Sequence, residues 1–377
     1  MVLRFRKDKL RKILQVFFSL GLLVVIAGCQ NSDLSVLSKE SQKLASVEKR
    51  LDFKKNLQIK SIYVGRCSDF QEISKTLERY GANAVVIDVK DDFGQLFPSL
   101  PVSYNAKNRF MPNKNLKNLL KKLNEKKIYA IARVVALKEF TRDDLCIRGK
   151  DGAVIIDKEK MSWMDPCNEK VLQYLEEICT AAIEIGFDEV QLDYVRFSSY
   201  FRDDMQNTNK LRINFINNLT DRIVAAAHKL GGKVSVCVFG CTIENSVDTP
   251  DKKGQTKKSS EILGQDYIEL AERADYVCPM IYPSHYPKHT PCGIEDPDLK
   301  PYKTVSVCMK LSNEMFKAAR KKHLRAKVRP YLQAFTAKWL KNHLEYGKDE
   351  IDDQIRAVHD SGSAEQWGLF HMAGKYP

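Results

Sequence analysis

From residue 58 onward, apolar positions recur alternately with a period of two and with the three-and-four spacing of a helix. "KSIYVG" (60–65) reads as a strand, and 69–80 as an amphipathic helix. The same alternation predicts strands in "NAVVIDVK" (83–90), "KIYAIARVV" (127–135), "GFDEVQLDYVRF" (186–197), "KVSVCVFG" (233–240), "DYVCPMIY" (275–282), "AKVRPYLQAF" (326–335) and "QWGLFHM" (366–372). Helices are predicted between them over 115–126, 168–185, 208–230, 264–273, 302–323 and 349–360. About eight strands in strict alternation with helices predict a parallel sheet, and that number fits a closed (β/α)8 TIM barrel spanning 58–377 as one domain. An open doubly wound sheet would carry a Gly-rich turn after its first strand, and "YVGRCSDF" has none.

In a barrel, one face of each strand meets the helices and the other meets the interior. In the fourth strand Val190, Leu192 and Tyr194 form the apolar face, so Glu189, Gln191 and Asp193 point inward, with Asp193 at the C-terminal mouth. Barrel active sites lie at that mouth. A carboxylate there is costly without a partner or a task; the partner on offer is Arg196 or Arg133. The same parity turns Asp88 and Lys90 of the second strand inward, with Asp91 and Asp92 just beyond, although Lys90 could simply neutralise Asp88. Arg133 comes from the third strand, Tyr282 and the following His285 from the sixth, and Arg329, Tyr331 and Gln333 from the seventh. The eighth offers Trp367 or His371. Such a rim suits a polyhydroxylated ligand: carboxylates and amides hold hydroxyls, and aromatic faces cover the apolar side of a sugar ring.

The N-terminal pattern is different. Six basic residues between Arg4 and Lys12 precede an apolar run, Ile13 to Cys29, that closes on "IAGC". The run is short for a membrane span and its flanks fit a signal peptide. Small residues before a cysteine resemble a bacterial lipobox, so residues 1–28 are expected to be a lipoprotein signal peptide and Cys29 the lipidated residue. The polar stretch 29–57 then serves as a flexible tether. An uncleaved anchor helix would equally place the protein on a membrane outside the cytoplasm, in the bacterial cell envelope. Cleavage removes six basic residues and one aspartate, so the formal charge falls from +13 to about +8. That excess is spread over Lys-rich helix faces, with no basic stripe and interleaved aromatics to indicate nucleic acid. The chain has 10 cysteines but no C-x-x-C pair, so zinc spacing is absent. No metal or cofactor is expected, and Cys237 and Cys278, inside apolar strands, read as small buried hydrophobes.

Seven segments in order carry a resemblance: "NAVVIDVKDDFG" (83–94), "KIYAIARVV", "GFDEVQLDYVRF", "VFG" (238–240), "GQD" (264–266), "PMIYPSHY" (279–286) and "RPYLQAF" (329–335). Over roughly residues 58–377 the sequence resembles a bacterial domain family described as glycosyl hydrolase domains, which belongs with the TIM-barrel glycosidases. The resemblance implies a barrel and an activity directed at carbohydrate. The chain departs from the family pattern in three places. Cys237 in "SVCVFG" takes the place of an inward aspartate, Ser198 follows "YVRF" where the family tends to have Pro, and Lys138-Glu139 replaces Lys-Asp. Glycoside hydrolysis needs two carboxyl groups across the scissile bond. Asp193 is the nucleophile-like candidate. Glu244 is ranked first as its acid partner, ahead of Asp88, Asp92, Glu139 and Asp165. Substrate contacts are expected from Asp88, Lys90, Asp92, Arg133, Arg196, Tyr282, His285 and Gln333. The expected function is hydrolysis of a cell-envelope or extracellular polysaccharide. The alternative is a glycan-binding or structural envelope lipoprotein whose site is degenerate because of Cys237.

Overall fold

The computed structural model describes residues 57–377 apart from 68, 98–99, 101, 103–114, 140–142, 150, 200–208, 245–248, 251–255 and 363–364. The signal segment 1–28, Cys29 and the tether as far as residue 56 lie outside the described residues. Eight parallel strands form the core: β1 Lys60–Gly65, β2 Ala84–Lys90, β3 Tyr129–Val135, β4 Glu189–Asp193, β5 Lys233–Phe239, β6 Tyr276–Ile281, β7 in two pieces (Lys327–Val328 and Tyr331–Gln333) and β8 Trp367–Phe370. Each pairs with its neighbour in chain order, and β8 pairs with β1, Leu369 opposite Ile62, which closes the barrel. Pro330, lacking an N–H, stands where β7 is interrupted.

The helices α1 Phe70–Tyr80, α2 Leu116–Glu125, α3 Glu169–Glu184, α4 Asn209–Lys229, α5 Tyr267–Arg273, α6 Pro301–Ala318 and α7 Lys348–Asp360 alternate with the strands. Their starts follow from local chemistry. Asp69, Asn168 and Asp266 accept hydrogen bonds from the first free N–H groups of α1, α3 and α5. The helix expected over 264–273 begins only at Tyr267, because Gly264 adopts a left-handed φ of 73° and Asp266 is the cap. Outward strand residues such as Ile62, Val85, Ile87, Ala132, Val190, Leu192, Val236 and Leu369 join the helices in one buried apolar cluster. Trp367 belongs to that outward set and is 1% exposed. It therefore does not reach the mouth; Phe370, of the opposite parity, takes that place. His371 lies just past the strand and folds back on the chain, its Nδ1 accepting from the Ala373 N–H at 3.2 Å.

The inward residues stack in polar layers, as barrel interiors do. At the bottom Glu189 and Arg329, both fully buried, form an ion pair, with the guanidinium 4.5 Å from the Tyr276 ring centroid. Above it Gln191 accepts from the Tyr331 hydroxyl at 2.7 Å and donates to Ser235 Oγ at 3.3 Å. The top layer holds Asp193. The strand there is shorter than the sequence pattern implies: Tyr194 turns to φ 50° and its N–H donates to Asp193 Oδ1 at 2.8 Å, which leaves the ladder. The nine described cysteines are all free thiols, with Cys237 and Cys278 buried.

Candidate active site

The mouth is organised by one guanidinium. Arg133, on β3, donates through Nε to Asp193 Oδ2 at 2.9 Å and through Nη1 to Asp88 Oδ1 at 3.0 Å. Its Nη2 lies 2.8 Å from Asp193 Oδ2 and 3.7 Å from Asp92 Oδ2. Burial alone would lower the pKa of Arg133, but the carboxylates of Asp193, Asp88 and Asp92 outweigh it and hold the pKa well above the ordinary value. The Tyr63 hydroxyl donates to Asp88 Oδ2 at 2.7 Å, and burial, reinforced by Asp88, pushes the phenol far up. Asp88 is thus tied on both oxygens. Asp193 and Asp92 are the more open members, with side-chain exposures of 12% and 31%. Both sit on the same Arg133 nitrogen, so their Oδ2 oxygens lie at most about 6.5 Å apart, a bound that admits the ~5–5.5 Å spacing of a retaining pair.

The loop that presents Asp92 is built by its own sequence. Asp91 Oδ1 accepts from the N–H groups of Phe93 and Gln95, closing a tight turn. Gly94 adopts φ 76°, and a Cβ there would stand 2.5 Å from Glu139, so only glycine fits. Glu139 in turn forms a fully buried ion pair with Lys90 at 3.0 Å, and Lys90 also donates to the Val135 carbonyl at 2.7 Å. Lys90 therefore neutralises Glu139 rather than Asp88, and it presents nothing to a ligand. The run "KDDFG" reads as anchor, turn, site carboxylate and close approach.

Beside the Arg133 cluster lies an aromatic wall. Tyr282, at the end of β6, stacks on Phe370 with centroids 5.7 Å apart and packs edge-on against His285 and Phe335. Phe370 also meets Tyr63 at 4.9 Å. Burial raises the Tyr282 phenol, and Cys237 and then the charge of Asp193 add to the effect. Cys237 lies inward on β5 and is 3% exposed. Burial, then Asp193, push its thiol well above its usual value, so it is a neutral neighbour of Asp193.

Besides Lys90, three predicted site residues are placed elsewhere. Arg196 is buried with its guanidinium 4.2 Å from the Phe239 centroid and 4.7 Å from that of Trp163, and desolvation lowers its pKa. Gln333 is fully buried, accepting from the Ser284 N–H and donating to Asp298. It locks two loops together. Glu244 ends a single helical turn after β5; its neighbours are Tyr286 and Cys308, and it makes no hydrogen bond or ion pair with Arg133 or Asp193. Burial raises its carboxyl pKa, and its buried Oε1 has no hydrogen-bond partner among the described residues. Of the remaining carboxylates, Asp165 accepts from the Cys167 N–H at 2.9 Å in the turn before α3. Among the described residues no group of three or more His, Cys, Asp and Glu is arranged to hold a metal ion.

A sequence-family model described as "Putative glycosyl hydrolase domain" matches residues 57–376. The chain belongs to this family. It is accordingly a glycoside hydrolase of TIM-barrel architecture. No protein of curated function matches it significantly. Among solved structures, the PgaB (BpsB) glycoside hydrolase domain from Bordetella bronchiseptica aligns over 84% of this chain and 95% of its own, with a TM-score of 0.58 and 11% identity, a likeness of fold. A hypothetical protein from Ruminiclostridium thermocellum is 26% identical over 46% of this chain and 96% of its own, with a TM-score of 0.40. Aspergillus fumigatus Ega3, solved in complex with galactosamine, is 11% identical over 85% of this chain and 95% of its own, with a TM-score of 0.46.

The glycosyl hydrolase domain has mouth residues that the sequence reading passed over. Tyr63 and Phe370 were both available from strand parity: Ser61 and Tyr63 alternate with Ile62 and Val64, and Gly368 and Phe370 with Trp367 and Leu369. Phe335 continues the parity of Tyr331 and Gln333 just past β7, whereas Trp339 follows further along the loop, where no periodicity marks it.

Proposed function

We propose that this domain hydrolyses O-glycosidic bonds of a polysaccharide at the β-barrel mouth, with Asp193 at the reacting carbon. The observation that carries the proposal is the Arg133 clamp. It holds Asp193 by Oδ2 while the Tyr194 N–H holds Oδ1, so the carboxylate is fixed beside the more open Asp92 and an aromatic wall. Preorganised groups of this kind act without reorganising during reaction. An acid carboxyl gives its proton to the glycosidic oxygen as the bond from the anomeric carbon to that oxygen breaks. Asp193 faces the positive charge that develops on the carbon, either as base for a water that ends up bonded there, or as nucleophile forming a glycosyl ester that water, deprotonated by the spent acid, then cleaves. Two residues are proposed as the acid. Asp92 shares the guanidinium with Asp193, and Glu244 has the raised pKa that an acid needs but lies toward Tyr286. The test is release of reducing ends from purified bacterial envelope and extracellular polysaccharides. No release from any of them would overturn the reading.

Cys237 bears on the rate. A neutral thiol stands where the family pattern has an aspartate, next to Asp193. Cys237→Asp is expected to raise hydrolysis several-fold or more without weakening glycan binding, at some expense of stability because two near carboxylates repel. A fall in activity would assign the acid role to another residue and make Glu244→Gln and Asp92→Asn the next variants.

We further propose that the domain is held at the envelope by lipid on Cys29, supported by the "IAGC" ending of the apolar run. In cells, Cys29→Ser is expected to release the protein from membranes or leave its signal uncleaved. Unchanged membrane retention with a cleaved signal would rule the anchor out.

A further inference from the structure

Of the three tryptophans in the chain, Trp163 and Trp367 are 2% and 1% exposed, whereas Trp339 is 62% exposed. One exposed indole is ordinary by itself; Trp339 differs in having rings packed behind it, Phe335 and His285. The loop that carries it is built firmly. Gln333 and the Leu344 N–H both donate to the buried carboxylate of Asp298, at 3.1 and 3.0 Å. The Tyr346 N–H donates to Thr336 Oγ1 at 3.0 Å, and the Tyr346 hydroxyl to the Asp298 carbonyl at 3.1 Å. These bonds tie together the two ends of the span that contains Trp339. One side of the indole is backed by Phe335, 6.0 Å away and inclined by 29°, while His285 meets it edge-on at 5.9 Å. Phe335 continues to Tyr282 at 5.8 Å, Tyr282 to Phe370 at 5.7 Å and Phe370 to Tyr63 at 4.9 Å, and the Arg133 guanidinium lies 5.7 Å from the Tyr63 centroid. A continuous line of rings thus runs from the carboxylates to an open indole face at the rim.

We propose that Trp339 is an outer sugar subsite, on which a pyranose ring of the same glycan chain stacks while the scissile bond lies at Asp193. The substrate class is therefore a chain of several sugars rather than a mono- or disaccharide; this rests on the hydrolase reading above. Stacking uses the apolar face of the sugar ring and a rigid indole, which loses little conformational freedom on binding. No charged group is needed there, and desolvation lowers the pKa of His285, the ring that meets the indole edge-on.

The burial of the other two tryptophans makes the test direct. The protein is titrated with chitosan, β-1,3-glucan and galactosamine oligomers of one to eight sugars while tryptophan emission is recorded, and p-nitrophenyl monosaccharides serve as single-sugar substrates. At least one oligomer series is expected to shift the emission, with affinity rising with length, and Trp339→Phe should abolish the shift. Trp339→Ala should weaken binding of the longest oligomer roughly tenfold, about 1.4 kcal/mol. The inference is overturned if no oligomer shifts the emission, if affinity does not depend on length, or if Trp339→Ala binds the longest oligomer as wild type does. Length-dependent binding through Trp339 without any cleavage would instead fail the hydrolase reading and leave the subsite standing. Cleavage of the oligomers with wild-type affinity for the longest one in Trp339→Ala would do the reverse.

Discussion

Asp193→Asn is expected to abolish measurable turnover, a loss on the order of 10³-fold or more, while the protein keeps its fold. The amide has the shape of the carboxylate but only one acceptor oxygen, so it keeps the bond from Arg133 or the bond from the Tyr194 N–H and loses the other. Arg133 also retains Asp88 at 3.0 Å, so no buried charge is stranded. What is lost is the negative charge at the reacting carbon. Reducing-end release and thermal unfolding should be measured on the same preparation. Wild-type turnover in Asp193→Asn would make this residue structural only. Asp92→Asn, measured in parallel, separates the two carboxylates on Arg133: a loss confined to substrates with poor leaving groups marks Asp92 as the acid, because an activated leaving group needs no protonation.

Glu189→Gln is the substitution with the largest expected effect on stability. Glu189 and Arg329 are both fully buried, and each supplies the other's charge in the bottom layer of the barrel. Arg329 Nη1 donates to Glu189 Oε2 at 3.2 Å, and the second nitrogen engages Oε1. Removing the carboxylate leaves a guanidinium in a dry interior, where Tyr276 covers its face at 4.5 Å. The expected penalty is about 3–5 kcal/mol, read from urea unfolding midpoints and slopes. Replacing both residues by apolar ones of similar volume, Glu189→Leu with Arg329→Met, is expected to recover most of that loss, since the desolvation of both ions disappears together. A single-variant loss below about 1 kcal/mol would mean that water reaches the pair.

Parity alone carried the fold and the inward positions a long way. Alternation in "EVQLD" and "AVVIDVK" was sufficient to place Asp193 and Asp88 on the inner face, because a strand side chain has only two sides and the apolar one must meet the helices. The same rule would have yielded Tyr63 and Phe370 and excluded Trp367, had it been applied to the first and last strands. Helix starts at Asp69, Asn168 and Asp266 were equally local, since a cap satisfies N–H groups a few residues away. Partner choice was not local. Asp193 could have paired with Arg196, three residues on, yet it pairs with Arg133 from the neighbouring strand, because the turn at Tyr194 carries Arg196 away into the rings of Trp163 and Phe239. Lys90 lies two residues from Asp88 and pairs instead with Glu139, which is 49 positions further along. Gln333 shares the inward parity of Tyr331 but is taken up by Asp298 and the Ser284 N–H. Which residues face inward is decided by a period of two that any short window shows; which of them share a charge, and which aromatic rings line up toward Trp339, depends on strand register and loop paths that are set only when the barrel closes.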